Sequence, residues 1–395
     1  MNRVLFYTHN SIGLGHAVRA ASLITGVRRH RPDTDFLVIS GGSAPQIFLQ
    51  EGVEVVKLPG VRRDMDDLGF HPRLLPRFEL EGLMRFRSGV IKKTLDWFKP
   101  STVFVEHALT GLLGEAMPVF QRKLDLAGTP DEFVLAHVSR GVKVSSACPA
   151  GRPLDPAGRN PAELYDFFFV LEEEEYADIK PVGPSRAQRD KLRFLGRIAC
   201  RTPEELPERR AVLAGRGFDS SPVVISLGRH GPVAEMTGRV LEAVSAIPQL
   251  SHGGSIIALD PYLPAETVRE VRRLAQKHGA MVSGFAPGLV ELISAASLVV
   301  CRGGYNSVNE VLLTGVKALI IPERHPSGEQ EARASLLSGP GLAVMDQERA
   351  LGPDLDKVLA RLMNEKTSRE RVPYDRYEIG RRIVREIENF VEKRG

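Results

Sequence analysis

The feature that most constrains this chain is an alternation of strand and helix patterns that runs from end to end in two successive series. Short apolar runs rich in β-branched residues predict strands at Val4–Tyr7, Asp35–Ser40, Val53–Lys57, Thr102–Val105, Phe133–His137 and Asp166–Leu171. A second series opens at Pro222–Leu227 and continues at Ser255–Leu259, Ala280–Ser283, Leu298–Cys301 and Ala318–Ile321. Helical patterns lie between the strands. From Gly15 to about Arg29 an apolar stripe of Ala17, Ala20, Ala21 and Ile24 runs until Pro32 stops it. Apolar strands joined by helices are buried on both faces, which predicts an α/β fold of parallel sheets with helices on each side. At 395 residues the chain exceeds what one core usually serves, so two domains follow. The charged stretch after Leu195 places the boundary, giving a first domain over 1–199 and a second over 200–373. The segment 374–395 is a terminal helix with Ile379, Ile383, Ile387 and Val391 at i, i+4 spacing, expected to dock across both domains.

Composition narrows the function. The chain is 43% hydrophobic and 26% charged, as a soluble globular protein is, and it has no apolar run of membrane-spanning length. Its N-terminus reads as a first strand and lacks the apolar core of a signal peptide. Cys148, Cys200 and Cys301 are odd in number and far apart, matching neither a disulfide framework nor a zinc site, so a reducing cytoplasm is the expected setting. A net charge of +4 suits anionic ligands, and without an aromatic-basic motif nucleic acid is not an expected partner.

Four turns after strands carry possible chemistry. Gly13-Leu14-Gly15-His16 follows the first strand and opens a helix, where glycines admit a ligand and amide groups favour an anion. The dinucleotide fingerprint is incomplete: no third glycine stands near Val18-Arg19, and no acidic residue ends the next strand, so a dehydrogenase is disfavoured. On the glycines alone, a plain strand–helix turn capped by His16 is the simpler reading. Arg302-Gly303-Gly304-Tyr305-Asn306-Ser307 joins a buried strand to a helix and can form a diphosphate pocket, with Arg302 as charge partner. Glu310, a turn later, can accept from vicinal ribose hydroxyls, although an isolated Glu near a helix start is more often a surface carboxylate. Glu329-Gln330 follows the strand Ala318–Ile321, and Ser226-Leu227-Gly228-Arg229 follows Pro222–Leu227. All the second-domain turns sit at strand carboxyl ends, where open α/β sheets bind ligands. In the first domain Glu106-His107 ends the strand Thr102–Val105 and offers Glu106 as a further general base.

Other features have plainer readings. Asp64-Met65-Asp66 mimics a metal-binding pair but sits among Arg62 and Arg63, and reads as a solvated turn. The segment Ser145–Asn160, with several Pro and Gly residues, reads as a loop near an active site. Leu75, Phe78, Leu83, Phe86, Val90 and Ile91 alternate with Arg73, Arg77, Arg85, Arg87, Lys92 and Lys93. That segment reads first as an amphipathic helix packed on its own domain, and second as a contact with an anionic membrane surface.

Taken in order, Gly13-x-Gly15-His16, Arg302-Gly303-Gly304-Tyr305-Asn306-Ser307-Val308-Asn309-Glu310 and Glu329-Gln330 resemble the nucleotide-sugar glycosyltransferases of the GT-B fold. The nearest branch contains the N-acetylglucosaminyltransferase that makes lipid II and related bacterial glycosyltransferases. The resemblance covers both domains, is specific in the second, and is absent from about Pro59 to Lys99. It implies two Rossmann-like domains facing a central cleft. It implies Glu310 at the donor ribose, and Gly303, Gly304 and Ser307 at the diphosphate with Asn306 beside them. Ser226 and Arg229 approach from the neighbouring strand end, Phe285 and Ala286 form the base pocket, and Glu329 and Gln330 read the sugar. His16 faces the acceptor. The Gly-x-Gly-His form also resembles a nucleotide-sugar hydrolase of sialic-acid-like sugar biosynthesis.

The expected activity is therefore inverting, metal-independent transfer of a sugar from a UDP- or dTDP-type donor, with no cofactor. His16 is the base, and the acceptor is lipid-linked or a small metabolite. The expected location is the cytoplasm, with peripheral contact at the inner membrane face for a lipid-linked acceptor. The alternatives are a hydrolase or epimerase of the same fold, and a binding protein without turnover.

Overall fold

The computed structural model describes residues 1–9, 13–63, 69–140, 160–176, 190–284, 288–324, 328–337, 339–365 and 375–394. The chain divides into two compact units, Met1–Ile198 with Arg376–Gly395, and Ala199–Asp375. Of the 374–395 segment, set apart by its sequence pattern, the part from Arg376 onward thus belongs to the first unit.

In the first unit the strands are β1 (Arg3–Thr8), β2 (Asp35–Ser40), β3 (Glu54–Lys57), β4 (Val61–Arg63), β5 (Phe70–Pro72), β6 (Thr102–Glu106), β7 (Val134–Ser139), β8 (Phe167–Val170) and β9 (Leu192–Phe194). Seven of the described strands form one parallel sheet in the order β3-β2-β1-β6-β7-β8-β9, and β4 with β5 makes a small antiparallel hairpin. The register pairs Leu5 with Leu37 on one side of β1 and with Val103 on the other. β1 and β6 are almost wholly buried, as strands covered on both faces must be, and Phe6 stacks on Phe104 with ring centroids 4.4 Å apart. The chain winds outward from β1 to β3 and then returns to lay β6 on the other side of β1. That reversal parts the loops at the carboxyl ends of β1 and β6 and opens a crevice there.

The second unit repeats the scheme with β10 (Val223–Ser226), β11 (Ser255–Ala258), β12 (Met281–Ser283), β13 (Leu298–Cys301), β14 (Ala318–Ile320) and β15 (Leu342–Val344). Their order is β12-β11-β10-β13-β14-β15, so its reversal lies between β10 and β13. Separate apolar clusters cover its two faces, one around Ile225, Val300 and Leu319, the other around Val224, Val299 and Ile320. The sequence pattern missed the hairpin strands β4 and β5 and, in the parallel sheets, β9 and β15. All four have three residues, too short for a periodicity to register, and β9 and β15 lie at the sheet edges.

The first helix (Gly15–His30) lies against the C-terminal helix (Arg376–Glu392), and two glycines set their separation. A Cβ added to Gly26 would sit 2.1 Å from the carbonyl oxygen of Arg376, and one on Gly380 would sit 2.1 Å from the carbonyl carbon of Gly26. The contact extends through His30 Nε2 to Tyr377 O at 2.9 Å, Arg382 Nη2 donating to Phe194 O at 2.6 Å, and Phe390 packed edge-on to Phe167. Gly26→Ala or Gly380→Ala forces the helices apart and is expected to destabilise the fold by about 1–3 kcal/mol, lowering Tm by several degrees. Calorimetry checks this, and an unchanged Tm in both variants contradicts so close an approach.

Candidate functional site

The crevice of the second unit gathers most of the residues expected to hold a donor. Gly303 and Gly304 follow β13, and the helix Tyr305–Thr314 starts at Gly304 without a side-chain cap. A helix end of this kind can receive an anion, which would meet the first amide groups and the positive end of the helix dipole. Asn306 and Ser307 lie half-buried in its first turn. Gly303 packs closely on the next helix: a Cβ there would lie 3.1 Å from the backbone oxygen of Gln330 and 3.2 Å from its Cβ, so a larger residue would push that helix away by a few tenths of an ångström.

Arg302 corrects an expectation. It is almost fully buried, and its guanidinium donates to Leu227 O at 2.9 Å, His230 O at 3.0 Å, Ile321 O at 3.4 Å and Gln347 Oε1 at 3.2 Å. It staples the turn after β10 to the end of β14 and does not present its donors to a diphosphate. Gly228 and Gly231 supply the left-handed backbone that this turn needs, at φ +65 and +77. Ser226 is the last residue of β10. Arg229 lies over the Tyr262 ring at 5.6 Å and donates from Nε to His230 Nε2 at 3.0 Å. Glu329 and Gln330 open a short helix beside Gly303, but their side chains brace the site. Arg333 pairs with Glu329 at 2.5 Å and donates to Gly303 O at 2.9 Å. Gln330 joins Glu323 through its backbone N–H and its carboxylate, each at 3.0 Å. Phe285 and Ala286, expected at the base, lie outside the described residues, as do Asp64, Asp66 and Cys148.

Glu310 is no surface carboxylate. It lies 7% exposed inside the helix, with Cys200 Sγ donating to Oε1 at 3.7 Å. Burial pushes its pKa up to about 7, the Cys200 hydrogen bond opposes the shift, and nearby Glu291 adds to it.

In the first unit the crevice between β1 and β6 holds Glu106 at its centre. Thr8 donates to Oε2 at 2.6 Å, His16 Nδ1 stands 3.3 Å from Oε2, and Arg19 pairs with Oε1. Arg19 is 2% exposed and also lies 3.1 Å from His16 Nδ1. Although burial alone would raise the Glu106 pKa, Arg19, His16 and Thr8 hold it far below the usual range. Glu106 therefore stays ionised between Arg19 and His16. A carboxylate held so far below its usual range is a weak base, which argues against its expectation as the general base. His16 is no cap either: Leu14 occupies that position without a side-chain bond, Gly13 turns at φ +70, and Gly15 begins the helix. Burial lowers the His16 pKa against the pull of Glu106, so the imidazole is neutral near pH 7. With Nδ1 turned to Glu106, Nε2 is the nitrogen left for a proton.

His9 and His107 complete the group. Their ring centroids lie 5.4 Å apart, and 5.5 and 5.0 Å from that of His16. Burial depresses both pKa values, that of His9 to about 3. His107 holds a left-handed backbone, φ 71. His9 and Arg19 were not expected at the site, yet each has a signal: His9 ends an apolar strand as Glu106 does, and Arg19 follows His16 by one helical turn. Cys200 has none. Among the described residues no group of three or more His, Cys, Asp or Glu side chains is arranged to hold a metal, and no helix is long and apolar enough to cross a membrane. The helix Leu80–Phe98 buries Leu83, Ile91 and Leu95 against its own unit and leaves Phe86 and Trp97 exposed.

Comparison with known proteins bears on the second crevice directly. Residues 257–376 match the glycosyltransferase family 28 C-terminal domain. The chain resembles the lipid-II-forming N-acetylglucosaminyltransferases and has the GT-B fold. The UDP-N-acetylglucosamine--N-acetylmuramyl-(pentapeptide) pyrophosphoryl-undecaprenol N-acetylglucosamine transferase of Desulforudis audaxviator is 22% identical over 89% of this chain and 87% of its own length. That of Burkholderia cenocepacia is 34% identical over 25% of this chain, and the match spans 32% of that protein, about a third of its length. Among solved structures, the UDP-GlcNAc 2-epimerase of Neisseria meningitidis superposes with a TM-score of 0.63 at 15% identity, over 98% of this chain and 100% of that one. MurG of Acinetobacter baumannii gives 0.54 at 13% identity, over the same shares. These likenesses establish the fold.

The buried Glu310 sets a pH signature. The folded chain keeps its proton up to about pH 7, whereas an unfolded chain releases it near 4.5. Between those values the folded state binds more protons, so this group's contribution to stability falls as pH rises. Glu310→Gln removes the effect. Without nucleotide, the variant's advantage over wild type should grow between pH 4.5 and 8 by at most about 3 kcal/mol. Urea denaturation at both pH values checks this, and an equal difference at each contradicts a desolvated carboxyl.

Proposed function

We propose that this protein is a glycosyltransferase that moves a sugar from a UDP- or dTDP-type donor to an acceptor hydroxyl, by a metal-independent, inverting displacement. The observation that carries the reading is the Gly303-Gly304 turn at the uncapped start of Tyr305–Thr314, with buried Glu310 in the second turn of the same helix. Amide groups and the helix dipole stabilise the leaving diphosphate, and Glu310, on giving up its proton, accepts from the ribose hydroxyls. The family 28 domain match and the relatives' names support a UDP-sugar donor and a lipid-linked acceptor.

The first unit supplies the base. His16 Nε2 takes the acceptor's proton, the acceptor oxygen bonds to the anomeric carbon, and the bond to the diphosphate breaks, its electron pair leaving with the nucleotide. Glu106 keeps Nδ1 protonated and stabilises the imidazolium that forms, and Arg19 keeps Glu106 ionised. Water in the acceptor's place makes the same residues hydrolytic. The shared fold of the 2-epimerases supports an epimerase as the alternative reading.

His16→Ala is expected to lower nucleotide release by roughly two to four orders of magnitude, with nucleotide affinity nearly intact. Following UDP release from a set of UDP-sugars, with affinity measured on the same preparation, tests this. Near-normal turnover in a folded variant contradicts the assignment of the base.

A further inference from the structure

The three imidazoles clustered in the first unit's crevice, His9, His16 and His107, exceed what a single base requires, and His9 is the unexplained one. It is 7% exposed, and its Nδ1 has no hydrogen-bond partner among the described residues. An unsatisfied buried polar atom in a native fold marks a place that water or a ligand completes. The rings nearest to it are His16 and His107, with Tyr7 further away at 6.4 Å, while Glu106, Arg87 and Arg140 supply the surrounding charge. Two of those charges are compensated nearby, since Glu106 pairs with Arg19 and Arg87 with Glu115. His107 is pinned in its left-handed backbone from β7. Its N–H donates to Val138 O at 3.0 Å, and its carbonyl oxygen lies 3.0 Å from His137 Nε2. A non-glycine residue held in that region is a feature that clusters at functional sites.

Proton counting gives His9 its task. A hydroxyl carries one proton and two lone pairs. Once His16 accepts the proton, any other group touching the oxygen has to donate. We propose that His9 is the second residue of the acceptor site, its Nδ1–H donating to the oxygen of the attacking hydroxyl or water while His16 Nε2 takes that oxygen's proton. This rests on the transferase reading above. His9 keeps its own proton throughout: the oxygen bonds to the anomeric carbon, the nucleoside diphosphate leaves with the electron pair, and the transferred proton resides on His16. The His9 hydrogen bond aims the remaining lone pair, so the residue binds and orients the nucleophile.

The test exploits the shape of imidazole. An Asn amide nitrogen occupies the place of Nδ1, and a Gln amide nitrogen that of Nε2. Nucleoside diphosphate release from UDP-N-acetylglucosamine is followed in water and with added glycerol as the hydroxyl acceptor, alongside UDP affinity and Tm. His9→Ala and His9→Gln are expected to slow release about tenfold, the worth of one hydrogen bond, and His9→Asn to recover to within about threefold. UDP affinity stays unchanged, and the acidic limb of the pH profile, which belongs to His16, does not move. Equal rates in wild type and His9→Ala, or rescue by Gln and not Asn, overturn the proposal and leave the transferase reading standing. Absence of release from the wild-type chain counts against that reading instead. Histidine ¹⁵N spectra of the full chain, with His9→Asn assigning the signal, then decide on His9 alone. A protonated Nδ1 at neutral pH supports the assignment, and a bare Nδ1 overturns it.

Discussion

Strand order governs everything that follows in this molecule. In each unit the chain reverses direction across its sheet, between β1 and β6 in the first and between β10 and β13 in the second. At such a reversal the loops leave in opposite directions, and the carboxyl ends of two adjacent strands are exposed to a ligand. The residues at those ends are the ones whose chemistry stands out: His9, Glu106 and His107 in one unit, and Ser226, Arg302, Gly303 and Gly304 in the other. A polar residue directly after a buried strand is costly anywhere else in such a sheet. Here it falls where a partner can reach it.

The two crevices handle buried charge differently, and the difference suits their proposed roles. In the first unit, a carboxylate and a guanidinium, each at most 2% exposed, neutralise each other beside an imidazole that stays uncharged. Removing either partner would leave the other buried and unpaired, so the pair is a rigid support for His16. In the second unit, Arg302 is spent on backbone carbonyls and Gln347, and Glu310 meets the Cys200 thiol with no cation pairing it among the described residues. Its carboxyl is therefore poised to change protonation when hydroxyl donors arrive. Positive potential for an anion comes from the helix end more than from a free cation.

Much of this was legible in the sequence. Continuous apolar strands and intervening amphipathic helices announced two parallel sheets, and the Gly-rich turns after strands marked both crevices. What could not be read were facts of three-dimensional proximity. Nothing in a one-dimensional pattern tells that Arg302 turns inward to staple a loop, or that Arg19 reaches Glu106 across 87 positions. The approach of Gly26 to Gly380 is equally hidden, since each glycine alone reads as a weak point in a helix. Glu106 looked like a base because a carboxylate at a strand end is typical of one, and only its buried pairing with Arg19 shows that it is held ionised.

The central claim is that the helix Tyr305–Thr314 receives a nucleoside diphosphate, with Glu310 on the ribose. Calorimetric titration of the full chain with UDP tests this most directly, comparing wild type with Glu310→Ala at matched pH and confirmed folding. Hydrogen bonds to a charged group contribute about 1.5–3 kcal/mol each, so the account predicts measurable UDP binding by the wild type and at least about tenfold weaker binding by the variant. Equal affinities in the two proteins, or no binding by the wild type, would contradict it.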